Sequence, residues 1–247
     1  LKTLIRDPDS IYARHILKME PLERLDQFSS YTLRGTVYHS IFEQFVMNWN
    51  SDADLKSHQE NLEKMASDVI KIGTSNTILQ NFWRKGINDI SLSFIKDEIE
   101  RQQEATSSAF ERSGKLYIRG LNFEISGKAD RIDLNKNGGA IIYDYKSGTL
   151  PSLKQQVAYD KQLYLLSLIL QNGAFEGISS TKVEAAFFVP VKPNLKKIHI
   201  PVDLESVEEF EVKLGELLSA YLTLSTGFKA RRALFLKQDY SPYDQIS

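Results

Sequence analysis

Residues 127–148 read GKADRIDLNKNGGAIIYDYKSG, a stretch that encodes two strands joined by a turn. Leading into it, Phe123, Ile125, Gly127 and Ala129 alternate with polar residues, and Ile132 and Leu134 continue the run as a half-buried strand would. Asn135-Lys136-Asn137-Gly138-Gly139 follows, and Asn and Gly tolerate the positive φ of a tight hairpin turn. Ala140, Ile141, Ile142 and Tyr143 then run on without alternation, as in a strand buried on both faces. Asp130 and Asp144 stand 14 positions apart across the turn, so pairing of the two strands brings them close. The two-residue period puts Asp144 and Lys146 on one face and Tyr145 on the other.

Two carboxylates so placed can share one cation. Mg²⁺ or Mn²⁺ takes oxygen ligands, and Asp130, Asp144 and the main-chain carbonyl of Tyr145 form a partial shell for it. Such an ion polarises a phosphoryl oxygen and activates water, while the Lys146 ammonium stabilises growing negative charge or positions that water. The chemistry this suits is phosphodiester hydrolysis. An Asp and a Lys at alternate strand positions also make an ordinary surface ion pair, worth about 0–1 kcal/mol. The apolar run before them favours the first reading, since charges closing a buried strand are costly unless used.

Working outward, Leu116 and Ile118 begin a partner strand that turns at 120–122, with the sheet starting after Gly114. Downstream, Gln155–Leu170 has helical spacing, Lys182–Val189 reads as a buried strand, Ile198–Val202 as a short one, and Leu204–Thr226 as a helix. Upstream lie helices over Ser10–Lys18, Leu33–Trp49, Asp52–Ile72 and Ile78–Gln103, with a turn near Pro21. In the second, Val37, Ile41, Phe42, Phe45 and Val46 form one apolar stripe. The expected fold is therefore α/β, a mixed central sheet flanked by helices, with an N-terminal helical block. It is read as one domain: a helical part (1–113), a sheet core (114–202) and a C-terminal helix and tail (203–247).

Composition narrows the function classes. With 42% hydrophobic and 26% charged residues, the chain is expected to fold and to stay off the membrane, since no apolar run approaches the roughly 18–20 residues of a span. It contains no cysteine, which excludes disulfides and a cysteine-ligated iron–sulfur cluster within these residues and points to the cytoplasm. The first residue is Leu1 and no signal-peptide pattern follows, so a fragment of a longer chain is expected. A net charge of -1 gives no general attraction to nucleic acid. Clusters at Lys192, Lys196, Lys197 and at Lys229, Arg231, Arg232 could form a basic strip, although charge runs are usually just solvated. Phe187, Phe188, Tyr221 and Phe228 are better read as core than as base-stacking groups. No GxxxxGK[ST], GxSxG or HExxH occurs, so neither an ATP site, a serine hydrolase elbow nor a zincin helix is present.

Together GKADRID, the hairpin, IIYDYKSG and a helix carrying Gln162 resemble the PD-(D/E)XK nuclease core of the RecB group. That group carries GxxxH on an upstream helix, often with Glu four residues on, and Gly35, His39 and Glu43 fill those places. Residues 5–26, IRDPDSIYARHILKMEPLERLD, and 239–247, DYSPYDQIS, are further similar to the nuclease domains of AddB-type subunits of bacterial AddAB helicase–nucleases. The resemblance implies that His39, Asp130, Asp144 and the Tyr145 carbonyl bind Mg²⁺ or Mn²⁺. Lys146 is then catalytic, and Gln162 opens a QxxxY element that supports the site and contacts DNA. It also implies an exonuclease that processes double-strand breaks on the strand with the 5′ end, beside an AddA-like helicase–nuclease subunit. Two positions depart from the pattern: Leu166 stands where the element has Tyr, with Tyr164 and Tyr159 nearby, and Ala129 replaces the family's proline. Two competing readings are a nuclease-fold DNA-binding or assembly module that no longer cuts, and an unrelated α/β protein with a coincidental D-Y-K.

Overall fold

A computed structural model describes residues 1–20, 30–118, 120–192, 196–202, 204–223, 226–229 and 243. In chain order the elements are α1 (Lys2–Arg6), α2 (Pro8–Ile11, continued by a wider π turn Tyr12–Ile16), α3 (Ser30–Met47), α4 (Leu55–Gly73) and α5 (Thr77–Glu104). The sheet follows as β1 (Ala105–Ile118), β2 (Phe123–Asn135) and β3 (Ala140–Lys146), then α6 (Leu153–Ala158), α7 (Gln162–Gln171), β4 (Val183–Pro190), β5 (Ile198–Ile200) and α8 (Leu204–Leu222). The strands lie in the order β1-β2-β3-β4-β5. β1, β2 and β3 form an antiparallel meander, β4 runs parallel to β3 after the α6–α7 crossover, and β5 pairs antiparallel with β4. This is the expected mixed sheet.

Local chemistry sets the boundaries. At the β2–β3 turn, Asn135 Oδ1 accepts from the backbone N–H of Asn137 and Gly139, while Gly138 takes φ 80°. Asp54 caps α4 and Asn76 caps α5 through side-chain oxygens, each satisfying backbone N–H groups that the helix leaves open. A capping box between Ser152 and Gln155 starts α6.

The sheet is covered on both faces. On one side Ile132, Ile142, Ala186 and Phe188 pack with Leu163, Leu166 and Ile169 of α7 and with Val207 and Leu214 of α8. On the other, Tyr143, Tyr145 and Val189 join Ile41, Phe42 and Phe45 of α3 and Trp83, Ile87 and Phe94 of α5. The unbroken apolar run of β3 thus has its reason: the strand has a core on each side. All five residues of the α3 stripe are buried, and truncating an aromatic such as Phe42 to Ala would cost about 3–5 kcal/mol.

Several boundaries differ from the expectation. β1 begins at Ala105, nine residues before Gly114, and its first half, ATSSAFER, is polar. It is a sheet-edge strand held by backbone pairing with β2 out to Ala105↔Asn135, so apolar alternation is not required of it. The helix read over 155–170 is two helices broken at Tyr159–Lys161, where the Tyr159 backbone leaves the helical region. The helix read over Ser10–Lys18 starts at Pro8, and β5 is shorter than expected. The turn near Pro21, Arg231 and Arg232, and the closing 239–247 segment apart from Tyr243 lie outside the described residues. Among the described residues no helix is long and apolar enough to cross a membrane.

Candidate metal centre and active site

The register of β2 and β3 runs from Leu134↔Ala140 to Arg131↔Tyr143, where the pairing ends, and Asp130 and Asp144 are the residues next beyond it on the two strands. Asp130 Oδ2 accepts from the backbone N–H of Tyr145 at 2.8 Å. His39, on α3, places Nε2 2.9 Å from the Tyr145 carbonyl oxygen and Nδ1 3.5 Å from Asp130 Oδ1. Gly35, one turn before His39, permits this approach: a Cβ there would already lie 3.3 Å from Ser147 Oγ. Helix α3 is thereby seated against the end of β3.

A fourth group completes the cluster. Phe110 pairs with Arg131 and Arg112 with Ala129, which puts Glu111 of β1 across from Asp130. Glu111 takes φ 51°, a left-handed conformation that costs a non-glycine residue about 1–2 kcal/mol. It lies 3.7 Å from His39 Nδ1 and ion-pairs with Lys128. His39, Glu111 and Asp130 each offer one ligand atom within 4.8 Å of the others. Glu43, one turn beyond His39, has its carboxyl pushed up by burial and then by Glu111. No motif marks Glu111 in the sequence; strand pairing with Asp130 is the signal that finds it.

The donor set fits a divalent cation. His39 Nε2 lies at hydrogen-bond distance, 2.9 Å, from the Tyr145 carbonyl oxygen, which can only accept, so Nδ1 is left to face Glu111 and Asp130 as a ligand atom. An imidazole nitrogen with two carboxylates is a set that a divalent cation takes. Burial raises the Asp130 carboxyl, opposed by His39 and by the Tyr145 N–H, so a cation there would relieve a cost of desolvating charge.

Beside it is a second triangle. Asp144 is 1% exposed, and its Oδ1 accepts from Gln162 Nε2 at 2.6 Å while Lys146 Nζ lies 2.7 Å from Oδ2. Lys146 Nζ also donates to Gln162 Oε1 at 2.9 Å, so the amide at the start of α7 holds both charged groups. Oδ2 has no hydrogen-bond donor in good geometry, despite the short ion-pair distance. Burial pushes the Asp144 carboxyl up to about 7, Lys146 opposing the rise and Asp130 adding to it. Carboxylates at neighbouring ends of β2 and β3 are costly as anions, and Lys146 offsets part of that cost for Asp144.

Under the opposite face lies a buried ionic network that sequence reading missed. Arg131, the residue after Asp130, donates to Glu98 Oε1 at 3.0 Å and to Asp133 at 2.6 Å, and Arg101 donates to Glu98 at 3.2 Å. Both Arg131 and Glu98 are 0% exposed. The Arg131 guanidinium also reaches Tyr145 Oη at 3.5 Å. The network thus grips, from α5, the residues next to Asp130 and Asp144.

The structure therefore brings His39, Asp130 and the Tyr145 carbonyl together, and Asp144, Lys146 and Gln162 together. Leu166 is buried in the sheet core, while Tyr164 packs on Phe210 and Tyr159 meets Arg6. Phe188 is core, and Phe187 stacks on Tyr143 under Lys197.

An acid–acid–lysine end of a mixed sheet, with a histidine from a flanking helix, is the arrangement of a metal-dependent nuclease. The family model described as "PD-(D/E)XK nuclease superfamily" matches residues 1–236, and the chain belongs to that superfamily. Its members use divalent metals. Relatives described as uncharacterized proteins occur in Rickettsia bellii, 26% identical over 90% of this chain and 29% of theirs, and in Rickettsia felis, 31% identical over 71% of this chain and 21% of theirs. A Rickettsia typhi protein is 26% identical over 100% of this chain and 28% of its own. The chain thus spans 21–29% of the length of these relatives. The solved structure of SSO0001 overlays with a TM-score of 0.36 at 14% identity, over 79% of this chain and 88% of that one, a likeness too distant to bear on function.

Proposed function

We propose that this chain is a Mg²⁺- or Mn²⁺-dependent DNA exonuclease domain, the cutting end of an AddB-like protein. It would degrade the strand with the 5′ end at a double-strand break as an AddA-like helicase–nuclease delivers it, in the cytoplasm. The observation that carries the nuclease reading is the convergence of Asp130, Asp144, Lys146 and His39 at one end of β2 and β3. The AddB-like assignment rests on the resemblance of residues 5–26 and 239–247, and the greater length of the rickettsial relatives suits a domain within a longer chain.

His39, Asp130, Asp144 and the Tyr145 carbonyl would hold the cation, with Glu111 as an additional carboxylate. When bound, it supplies Lewis-acid polarisation of the scissile phosphate. Hydrolysis forms one O–P bond from water and breaks another to the leaving sugar oxygen, and negative charge grows on the phosphoryl oxygens. Lys146, fixed by Gln162 and Asp144, holds its ammonium where it can neutralise that charge without reorganising. Gln162 is a positioning residue whose amide bridges Lys146 and Asp144, accepting from the ammonium and donating to the carboxylate.

Digestion of single- and double-stranded DNA labelled at the 5′ or the 3′ end tests this. Mononucleotides or short oligonucleotides released progressively from an end, and only with divalent metal, are expected. Circular DNA cut as fast as linear DNA would contradict the exonuclease assignment.

A further inference from the structure

Resting on the nuclease reading above, we propose that a groove along α5 carries the single DNA strand next to the scissile position. Phe82 is the platform on which one of its bases stacks. Two hollows of about 340 and 400 Å³ meet at Val191 and Lys192, with α5 forming one wall and Val191, Lys192, Lys196 and Lys197 on the other. The first hollow opens at Ser147, the residue after Lys146, and so adjoins the strand end that bears the site. Each is in the range that takes one drug-sized group, which suits a nucleotide and not a duplex.

Charge and exposure say what fills it. Arg34, Lys85 and Lys192 line the first hollow against Asp89, and Lys192, Lys196 and Lys197 line the second against Asp97. On a chain with net charge -1 this concentrates positive charge along one path. Phe82, in the first hollow, is 61% exposed, an apolar ring left in water where a stacked base would cover it. Gly86 sets the floor: a Cβ there would lie 2.4 Å from Tyr38 Oη, so its absence lets α3 and α5 close beneath the hollow. An exposed ring in a cationic groove is how proteins hold single strands, aromatic faces taking bases and cations taking phosphates. The lysines at 192, 196 and 197, ordinary as a charge run, gain a role from this placement.

The test measures binding of a single-stranded oligonucleotide by fluorescence anisotropy in chelator, beside cleavage of the same oligonucleotide with Mn²⁺. Phe82→Ala should weaken binding about 5- to 150-fold, the equivalent of the ~1–3 kcal/mol of one stacked base. Phe82→Trp should restore binding, and its fluorescence should fall on adding the oligonucleotide. Lys192→Ala should lower the slope of log affinity against log salt by about 0.7, the value for one phosphate contact on a single strand. The inference is overturned if the wild-type protein cleaves the oligonucleotide while Phe82→Ala and Lys192→Ala bind it unchanged. It is also overturned if Phe82→Ala instead abolishes association with another protein and leaves oligonucleotide binding intact. Failure of the wild type to cleave with any divalent metal would sink the nuclease reading itself, a separate result.

Discussion

The carbonyl oxygen of Tyr145 lies 2.9 Å from Nε2 of His39, although 106 residues separate them. That contact ties a helix of the N-terminal block to the end of the central strand, and it makes the cation site a product of tertiary packing.

Removing one of its donors should weaken the site sharply. His39→Ala and Asp130→Asn should each lower Mn²⁺ affinity by more than about 10-fold, since even outer-shell changes commonly cost 10–100-fold. Titration calorimetry reads this directly. In parallel, Mn²⁺ at 100 times its dissociation constant should stabilise the wild type by about 2.7 kcal/mol, and the melting shift should shrink in both variants. Unchanged affinity in Asp130→Asn would show that the cation sits elsewhere.

Glu111 joins the same group from the neighbouring strand. Glu111→Gln keeps the shape and removes the charge, so metal affinity should fall while the fold stays intact by circular dichroism. An affinity equal to wild type would leave Glu111 as no more than the partner of Lys128.

Gln162 holds Lys146 and Asp144 by two hydrogen bonds. Gln162→Leu should reduce kcat about 10-fold, on the usual 0.5–1.5 kcal/mol per bond, with little change in KM. Lys146→Ala should cost more, about 10²–10³-fold in kcat, as for removal of a charge-stabilising donor. Steady-state kinetics on a single-stranded oligonucleotide distinguishes the two, and a KM effect alone in Gln162→Leu would argue against a positioning role.

Beneath the site, Arg131 shares the carboxylates of Glu98 and Asp133. Arg131→Met leaves Asp133 buried without its cation and Glu98 with Arg101 alone, and should destabilise by about 3–5 kcal/mol, read as a lower urea midpoint. A midpoint within error of wild type would mean the network contributes little to holding β2.

Much of this was legible in the sequence, for identifiable reasons. The hairpin turn, the doubly buried β3 and the α3 stripe are local patterns, and the period of two placed Asp144 and Lys146 on one face. The polar start of β1 was hidden because an edge strand is held by backbone pairing. Glu111, the Glu98–Arg131–Asp133 network and Phe82 were hidden because each is defined by what lies across the fold. A polar residue looks the same on a helix face whether it meets water or a buried guanidinium.

Leu166 marks where resemblance and packing diverge. It is 2% exposed, and a Cβ on Gly127 would approach its side chain to 3.0 Å. Leu166→Tyr should therefore destabilise by about 1–3 kcal/mol through overpacking and give no gain in kcat. A faster enzyme of unchanged melting temperature would show that a tyrosine there reaches the site.

The central claim, that Asp144 and Lys146 form a metal-dependent cutting site, is tested most directly by one assay. End-labelled single-stranded DNA is incubated with Mg²⁺, Mn²⁺ or chelator and with wild-type protein, Asp144→Ala or Lys146→Ala. Cleavage by the wild type with metal only, and by neither variant despite native circular dichroism, is the expected result. Metal-dependent cleavage surviving in both variants, or none by the wild type, would contradict it.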